Sequence, residues 1–226
     1  MNAPTLLSIQ VSLPKHFGVE GASDPNNRPW STGIFKEPVQ GSIWLGETNL
    51  IGDGQADLTV HGGPEKAVLS YSAEHYPGWN QELAPLKMPY GAFGENFTIS
   101  GQTEESVCIG DTYAIGEVCV QVSQPRLPCW KLARKWQLKD LPTRVLKTNR
   151  GGWYFRVLTE GYVKPNLVVK LVDRPFPQWT ITRVMEIYLR RQDRDAAAEL
   201  ARCQLLEQNW RQIFYQYAAS NSNFKP

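Results

Sequence analysis

Across its first 173 residues the chain breaks into short apolar stretches separated by Gly and Pro turns, and few stretches are long enough for a helix. Strands are expected at Leu6 to Leu13, Val39 to Leu45, Ala67 to Ser72, Asn96 to Ser100 and Asp111 to Ile115. Others are expected at Val118 to Gln124, Trp153 to Leu158 and Leu167 to Val172. Strands spaced this closely favour a barrel or sandwich over a sheet built from strand-helix-strand units. Helices are expected at Ala73 to Leu83 and Leu141 to Thr148. The turn-rich segment from Asp24 to Gly33 reads as an exposed, mobile loop.

After Asp173 the pattern changes. Residues 174–179 are punctuated by Pro and read as a linker, and helical periodicity follows. Thr180 is placed to cap Ile181 to Arg190 and Asp193 to cap Arg194 to Cys203. Leu206, Trp210, Ile213, Phe214 and Tyr217 then share one face of a third helix. The expected organisation is a β-rich domain over 1–173 and a small three-helix domain over 180–226. The arginines of this second part are interleaved with acids, which favours solvated helix faces over a nucleic-acid surface.

At 226 residues, with 42% hydrophobic and 20% charged residues, the chain can bury a full core. Its net charge of +2 excludes a globally basic nucleic-acid or membrane surface, so any basic patch must be local. There is no apolar run of membrane-spanning length and no charged leader, so a cytoplasmic location is expected. The four cysteines include no C-x-x-C pair, which argues against a zinc ribbon or a self-contained iron–sulfur cluster.

Cys129 is the residue best placed for chemistry. Val118, Val120 and Val122 alternate as one face of a strand, Pro125 and Pro128 end it, and Leu132, Ala133 and Trp136 begin a helical face. A thiol at such a junction, with Arg126, Lys131 and Arg134 nearby, is favoured as a thiolate. Read alone, it is equally consistent with a small buried hydrophobe. Two further segments suggest a ligand. His61, Gly62 and Gly63 can turn main-chain N–H groups toward an anion, or simply make a tight turn. Gly94, Glu95 and Asn96 combine close backbone approach with polar groups, or form a capped turn. Arg156, within a run of aromatics, is suited to a phosphate or to a carboxylate partner.

Together these segments resemble the MOSC family, the molybdenum-cofactor sulfurase C-terminal domain, in its stand-alone bacterial YiiM type. The resemblance rests on Leu50-Ile-Gly-Asp53, Val60-His-Gly-Gly-Pro64, Phe93-Gly-Glu-Asn96, Val122-Ser-Gln-Pro-Arg-Leu-Pro-Cys129 and Gly152-Trp-Tyr-Phe-Arg-Val-Leu158, in that order, followed by a helical tail. Leu127, before the Pro-Cys pair, departs from the small polar residue of close relatives. The resemblance implies a MOSC-type β-barrel with a few peripheral helices and a C-terminal three-helix extension. It implies molybdenum cofactor, with Cys129 as the protein's molybdenum ligand, and an enzyme that reduces N-hydroxylated compounds such as hydroxylamino-purines or amidoximes. The pterin would be held by His61, Gly62 and Gly63, its phosphate by Lys66, Arg126 or Arg156, and the substrate side lined by Glu95 and Asn96. With no dinucleotide fingerprint, the chain is expected to take electrons from a separate flavin or iron–sulfur protein, docked on the helical tail. A sulfur carrier using a Cys129 persulfide, or a cofactor storage protein, are the alternatives.

Overall fold

The computed structural model describes residues 3–24 and 27–220. Its strands are β1 (Thr5–Val11), β2 (Lys15–Phe17), β3 (Trp30–Thr32), β4 (Glu37–Pro38), β5 (Ile43–Leu45), β6 (Val68–Ser72) and β7 (Phe97–Ser100). They continue with β8 (Thr112–Ile115), β9 (Val118–Pro125), β10 (Trp153–Thr159), β11 (Gly161–Val163), β12 (Leu167–Val168) and β13 (Lys170–Asp173). The helices are α1 (His75–Glu82), α2 (Lys131–Trp136), α3 (Leu141–Lys147), α4 (Ile181–Arg190), α5 (Arg194–Arg202) and α6 (Gln208–Ala219).

The main sheet runs β12-β1-β7-β6-β10-β9-β8-β13, with β4 added on β1. Its two edge strands, β12 and β13, are separated in the chain by Val169 alone, so the sheet curls until its ends meet. This is a curled, half-barrel form of the barrel that the strand spacing predicts, with β12 and β13 remaining its edge strands. The pair β6 and β7 is parallel, with Ser70 opposite Phe97, and α1 lies in the connection between them. The interior is filled by the inward residues of alternating strands: Val118, Val120 and Val122 of β9, Trp153 and Phe155 of β10, and Leu6 and Ile9 of β1 are all fully buried.

A second, smaller core packs α1, α2 and α3 against the barrel through Tyr71, Trp79, Phe93, Leu132, Leu141 and Val145. It matters for function because Leu132 anchors the start of α2, and burying such a side chain contributes about 1.5–3 kcal/mol.

The three C-terminal helices begin where their caps predict. Thr180 accepts a hydrogen bond from Arg183 N and Asp193 one from Ala196 N. Glu207 caps α6 by accepting from Asn209 N and Trp210 N, so that helix starts just after Leu206. Residues 174–179, expected as a free linker, are instead zipped onto the barrel. Arg174 pairs with Asp111 at 2.6 Å, Trp179 is buried, and the Trp179 carbonyl accepts from Ile109 N at 2.9 Å. Val184, Met185, Leu200, Trp210 and Phe214 belong to the same continuous core as the barrel interior, so the helices do not stand apart. The segment expected as a loop from Asp24 to Gly33 also contains a strand. Trp30 to Thr32 form β3, paired with β2, while Pro25 and Asn26 lie outside the described residues.

Candidate functional site

Cys129 lies two residues before α2, beyond the end of β9, as the strand-to-helix reading expects. It faces a cleft enclosing about 650 Å³ of space, part of it open solvent, lined also by His61, Gly62, Lys66, Asn96, Arg126, Leu127, Lys131 and Tyr154. Of the four cysteines only Cys129 lines this cleft. Cys108 and Cys203 are buried, and Cys119 is half-buried on β9 away from it. Among the described residues no three His, Cys, Asp or Glu side chains gather to hold a metal ion, and of these residue types Cys129 and His61 line the cleft.

The other wall is made by chain segments far apart in sequence. Thr32 ends β3 and Gly33 follows it, Gly54 and Gln55 come from the loop after β5, and these two segments cross closely. A Cβ on Gly33 would sit 2.4 Å from the Gly54 carbonyl oxygen, so only glycine permits the crossing. Gly62 has φ +92°, and a Cβ there would meet Gln55 Oε1 at 2.8 Å. The crossing is pinned by Asp53, buried beneath the cleft. Its carboxylate accepts from Ser12 N at 2.9 Å and from Asn96 Nδ2 at 2.9 Å, and it forms an ion pair with Lys36.

The cleft is cationic. Arg126 is 5% exposed. Its Nη2 donates to the Phe93 carbonyl at 3.0 Å, and its Nη1 is buried with no hydrogen-bond partner among the described residues. Lys66 Nζ donates to the Val60 carbonyl at 2.7 Å, and Lys131 adds a third charge at the lip. Burial, and then Lys131, Lys66 and Arg126 in turn, hold the His61 imidazole down at about pKa 4, so it is neutral at physiological pH. Burial likewise pushes the Tyr154 phenol up, although Arg126 beside it opposes the shift. Lys36 is pulled below the ordinary lysine value by burial, against the attraction of Asp53.

Two residues expected at the site are elsewhere. Glu95 is fully buried and does not line the cleft. Its carboxylate accepts from Tyr76 Oη, Gly91 N, Thr98 Oγ1 and Phe93 N, which leaves nothing to offer a substrate. Arg156 is held by Glu65 through two guanidinium nitrogens, with Gln121 Oε1 at 2.7 Å and the Leu205 carbonyl at 2.8 Å completing its shell. It therefore ties the barrel to the segment before α6 and does not line the cleft. Asn96 does line the cleft, but its amide is spent on Leu69 N, the Gln10 carbonyl and Asp53. Gly63 starts the 3₁₀ turn Pro64–Lys66 beside the cleft without lining it.

Lys36 and Tyr154 are not among the residues expected at the site from sequence, and Lys131 is expected there only as a cation beside Cys129. Lys131 carried a signal in its position after Cys129, and Tyr154 in its place two residues before Arg156 on the same strand face. Lys36 carried none.

Comparison with known proteins places this geometry. The family model for the MOSC domain matches residues 57–170, the segment that contains His61, Arg126, Cys129 and Tyr154. The chain belongs to the MOSC domain family. It is 45% identical over 170 residues to YflK of Bacillus subtilis (strain 168), covering 75% of this chain and 74% of that protein. A Gibberella moniliformis (strain M3125 / FGSC 7600) protein named "Reductase" is 36% identical over 160 residues, 70% of this chain but 28% of that longer protein. The crystal structure of YiiM from Geobacillus stearothermophilus superposes with a TM-score of 0.79 at 35% identity, over 96% of this chain and all of that one (100%). The MOSC match ends at residue 170, whereas the YiiM superposition carries on through most of the helical tail.

Proposed function

We propose that this protein is a molybdenum-cofactor-dependent reductase of N-hydroxylated compounds, such as hydroxylamino-purines or amidoximes, supplied with electrons by a separate protein. The observation that carries the reading is the pairing, in one cleft, of the Cys129 thiol with a buried Arg126 whose Nη1 lacks a partner. A soft thiolate suits molybdenum, and an unsatisfied buried guanidinium N–H suits a phosphate. MOSC membership and the relative named a reductase support the same reading.

The residues present fit the cofactor. Arg126 and Lys66 would take its phosphate, the Gly62 turn allows close backbone approach, and Cys129 would be the single protein ligand to the metal. When bound, the cofactor supplies the two-electron chemistry that removes the N–OH oxygen. The chain contributes orientation and electrostatics. Arg126, Lys66 and Lys131 hold anionic groups in place, and neutral His61 accepts or donates a hydrogen bond without adding repulsion to that cluster. Tyr154, kept protonated by burial, presents an O–H on the Cys129 side of the cleft. Leu127 makes one lip apolar.

The test is molybdenum analysis of protein made in a host that synthesises the cofactor, followed by an assay with a small artificial electron donor and a hydroxylamino-purine. Stoichiometric metal with turnover is expected. Metal without turnover would point to cofactor storage, and sulfane sulfur on Cys129 without metal would point to sulfur transfer.

A further inference from the structure

The charge next to the cleft is unlike that of the rest of the chain. Between Arg126 and Arg150 there are eight basic residues and one acid, Asp140, a local net of +7 in a chain whose total is +2. Some of these cations are spent internally. Arg126 faces the cleft, Lys135 is turned onto the Ile34 and Gly91 carbonyls, and Arg150 pairs with Glu82 at 2.7 Å. Lys139, Arg144 and Lys147 are exposed, and Asp140, the partner of Arg144, is itself 58% exposed on its side chain.

This surface lies beside the site. Arg126, Pro128, Val145 and Leu146 line one small cavity, which puts the end of α3 against the segment leading to Cys129, with Lys147 next in the chain. Lys131 on the cleft lip joins the two. The helical tail is by contrast nearly balanced: residues 180–220 carry six arginines and five acids, with Arg183 paired to Asp193 and Glu186 and Arg190 to Glu186.

Resting on the reductase reading above, we infer that the α2–α3 surface is the docking face for an acidic electron-carrying protein with a flavin or iron–sulfur centre. Each turnover converts R–NH–OH, two protons and two electrons into R–NH₂ and water, breaking N–O and forming N–H and O–H. The carrier loses the electrons and leaves oxidised. Electron transfer slows steeply with distance, so a carrier must sit close to the cleft, and a positive rim there steers an acidic one. A nucleic acid would require a longer basic track, but here the exposed charge is confined to two helices of 6 and 7 residues and the short loop between them.

The experiment uses the cofactor-loaded protein with an acidic two-iron ferredoxin and an acidic flavodoxin, each kept reduced by its own reductase. Binding is titrated at low and physiological salt, carbodiimide cross-links are mapped, and turnover is compared with dithionite as a small donor. At least one carrier should bind in a salt-dependent way and cross-link to Lys139 or Lys147. Lys139→Glu with Lys147→Glu should weaken binding about tenfold or more and lower carrier-driven turnover while sparing the dithionite rate. Lys164→Glu with Lys170→Glu should change neither. Equal binding by both double variants, no salt-dependent binding of either carrier, or binding of duplex DNA that the carriers fail to compete away would overturn the inference. Absence of dithionite-driven turnover in every form would instead count against the reductase reading, with binding and cross-links still deciding the surface.

Discussion

Arg126 donates through Nη2 to the Phe93 carbonyl at 3.0 Å, while the Nη1 of the same guanidinium, equally buried, has no partner among the described residues. One half of the group is a structural tie to the Phe93 loop, and the other half, on the proposed function, would meet the cofactor phosphate. Arg126→Ala should therefore lower cofactor retention more than tenfold, since a charge-assisted hydrogen bond contributes about 1.5–3 kcal/mol. Arg156→Ala should cost about 1–3 kcal/mol of folding stability through Glu65 and Leu205, with molybdenum per folded molecule unchanged. Metal content alongside thermal melts separates the two, and equal metal loss in both variants would refute the assignment.

Cys129→Ser should abolish molybdenum-dependent turnover and leave the melting temperature near wild type, because oxygen is nearly isosteric but a poor soft ligand. Cys119→Ser, on the face of β9 away from the cleft, should retain both metal and activity. Wild-type turnover in Cys129→Ser would rule the thiol out as the ligand.

His61 bears a pH signature whose sign is fixed by its surroundings. The unfolded chain takes up a proton on this residue near pH 6.5, the folded chain only near 4, so acid is expected to destabilise the fold progressively between those values. His61→Gln should flatten the stability profile in that window. Inorganic phosphate, by offsetting Lys66, Lys131 and Arg126, should raise the imidazole pKa seen by NMR titration. A free-protein value near 6.5 would contradict the cationic cleft.

Glu95→Gln replaces one carboxylate oxygen, in a shell made entirely of donors, with a further donor. Expected is a loss of about 2–4 kcal/mol of stability, with the substrate KM of the remaining folded protein little changed. A large KM effect at unchanged stability would return Glu95 to the substrate side.

Ending the chain after Asp173 would strip Trp179, Val184, Leu200 and Phe214 from a core they share with the barrel. The truncated protein should be insoluble or melt far below the full chain, as circular dichroism would show. A cooperative, wild-type-like melt would mean that the barrel stands alone.

Much of this molecule can be read from local pattern. The alternation of Val118, Val120 and Val122 specifies β9, Thr180 and Asp193 specify helix starts, and the prolines that stop β9 specify where Cys129 leaves it, because period and capping act over a few residues. Side-chain destinations are another matter. Arg156 meets Glu65 across 91 positions, Asn96 meets Asp53 across 43, and Lys36 reaches the cleft only because the segments around Gly33 and Gly54 cross. Pattern tells which residues share a face of a strand. Whether that face holds a ligand or a salt bridge is decided when the sheet curls and brings distant strands into register, since the free energy of a buried charge depends on the partners it meets there.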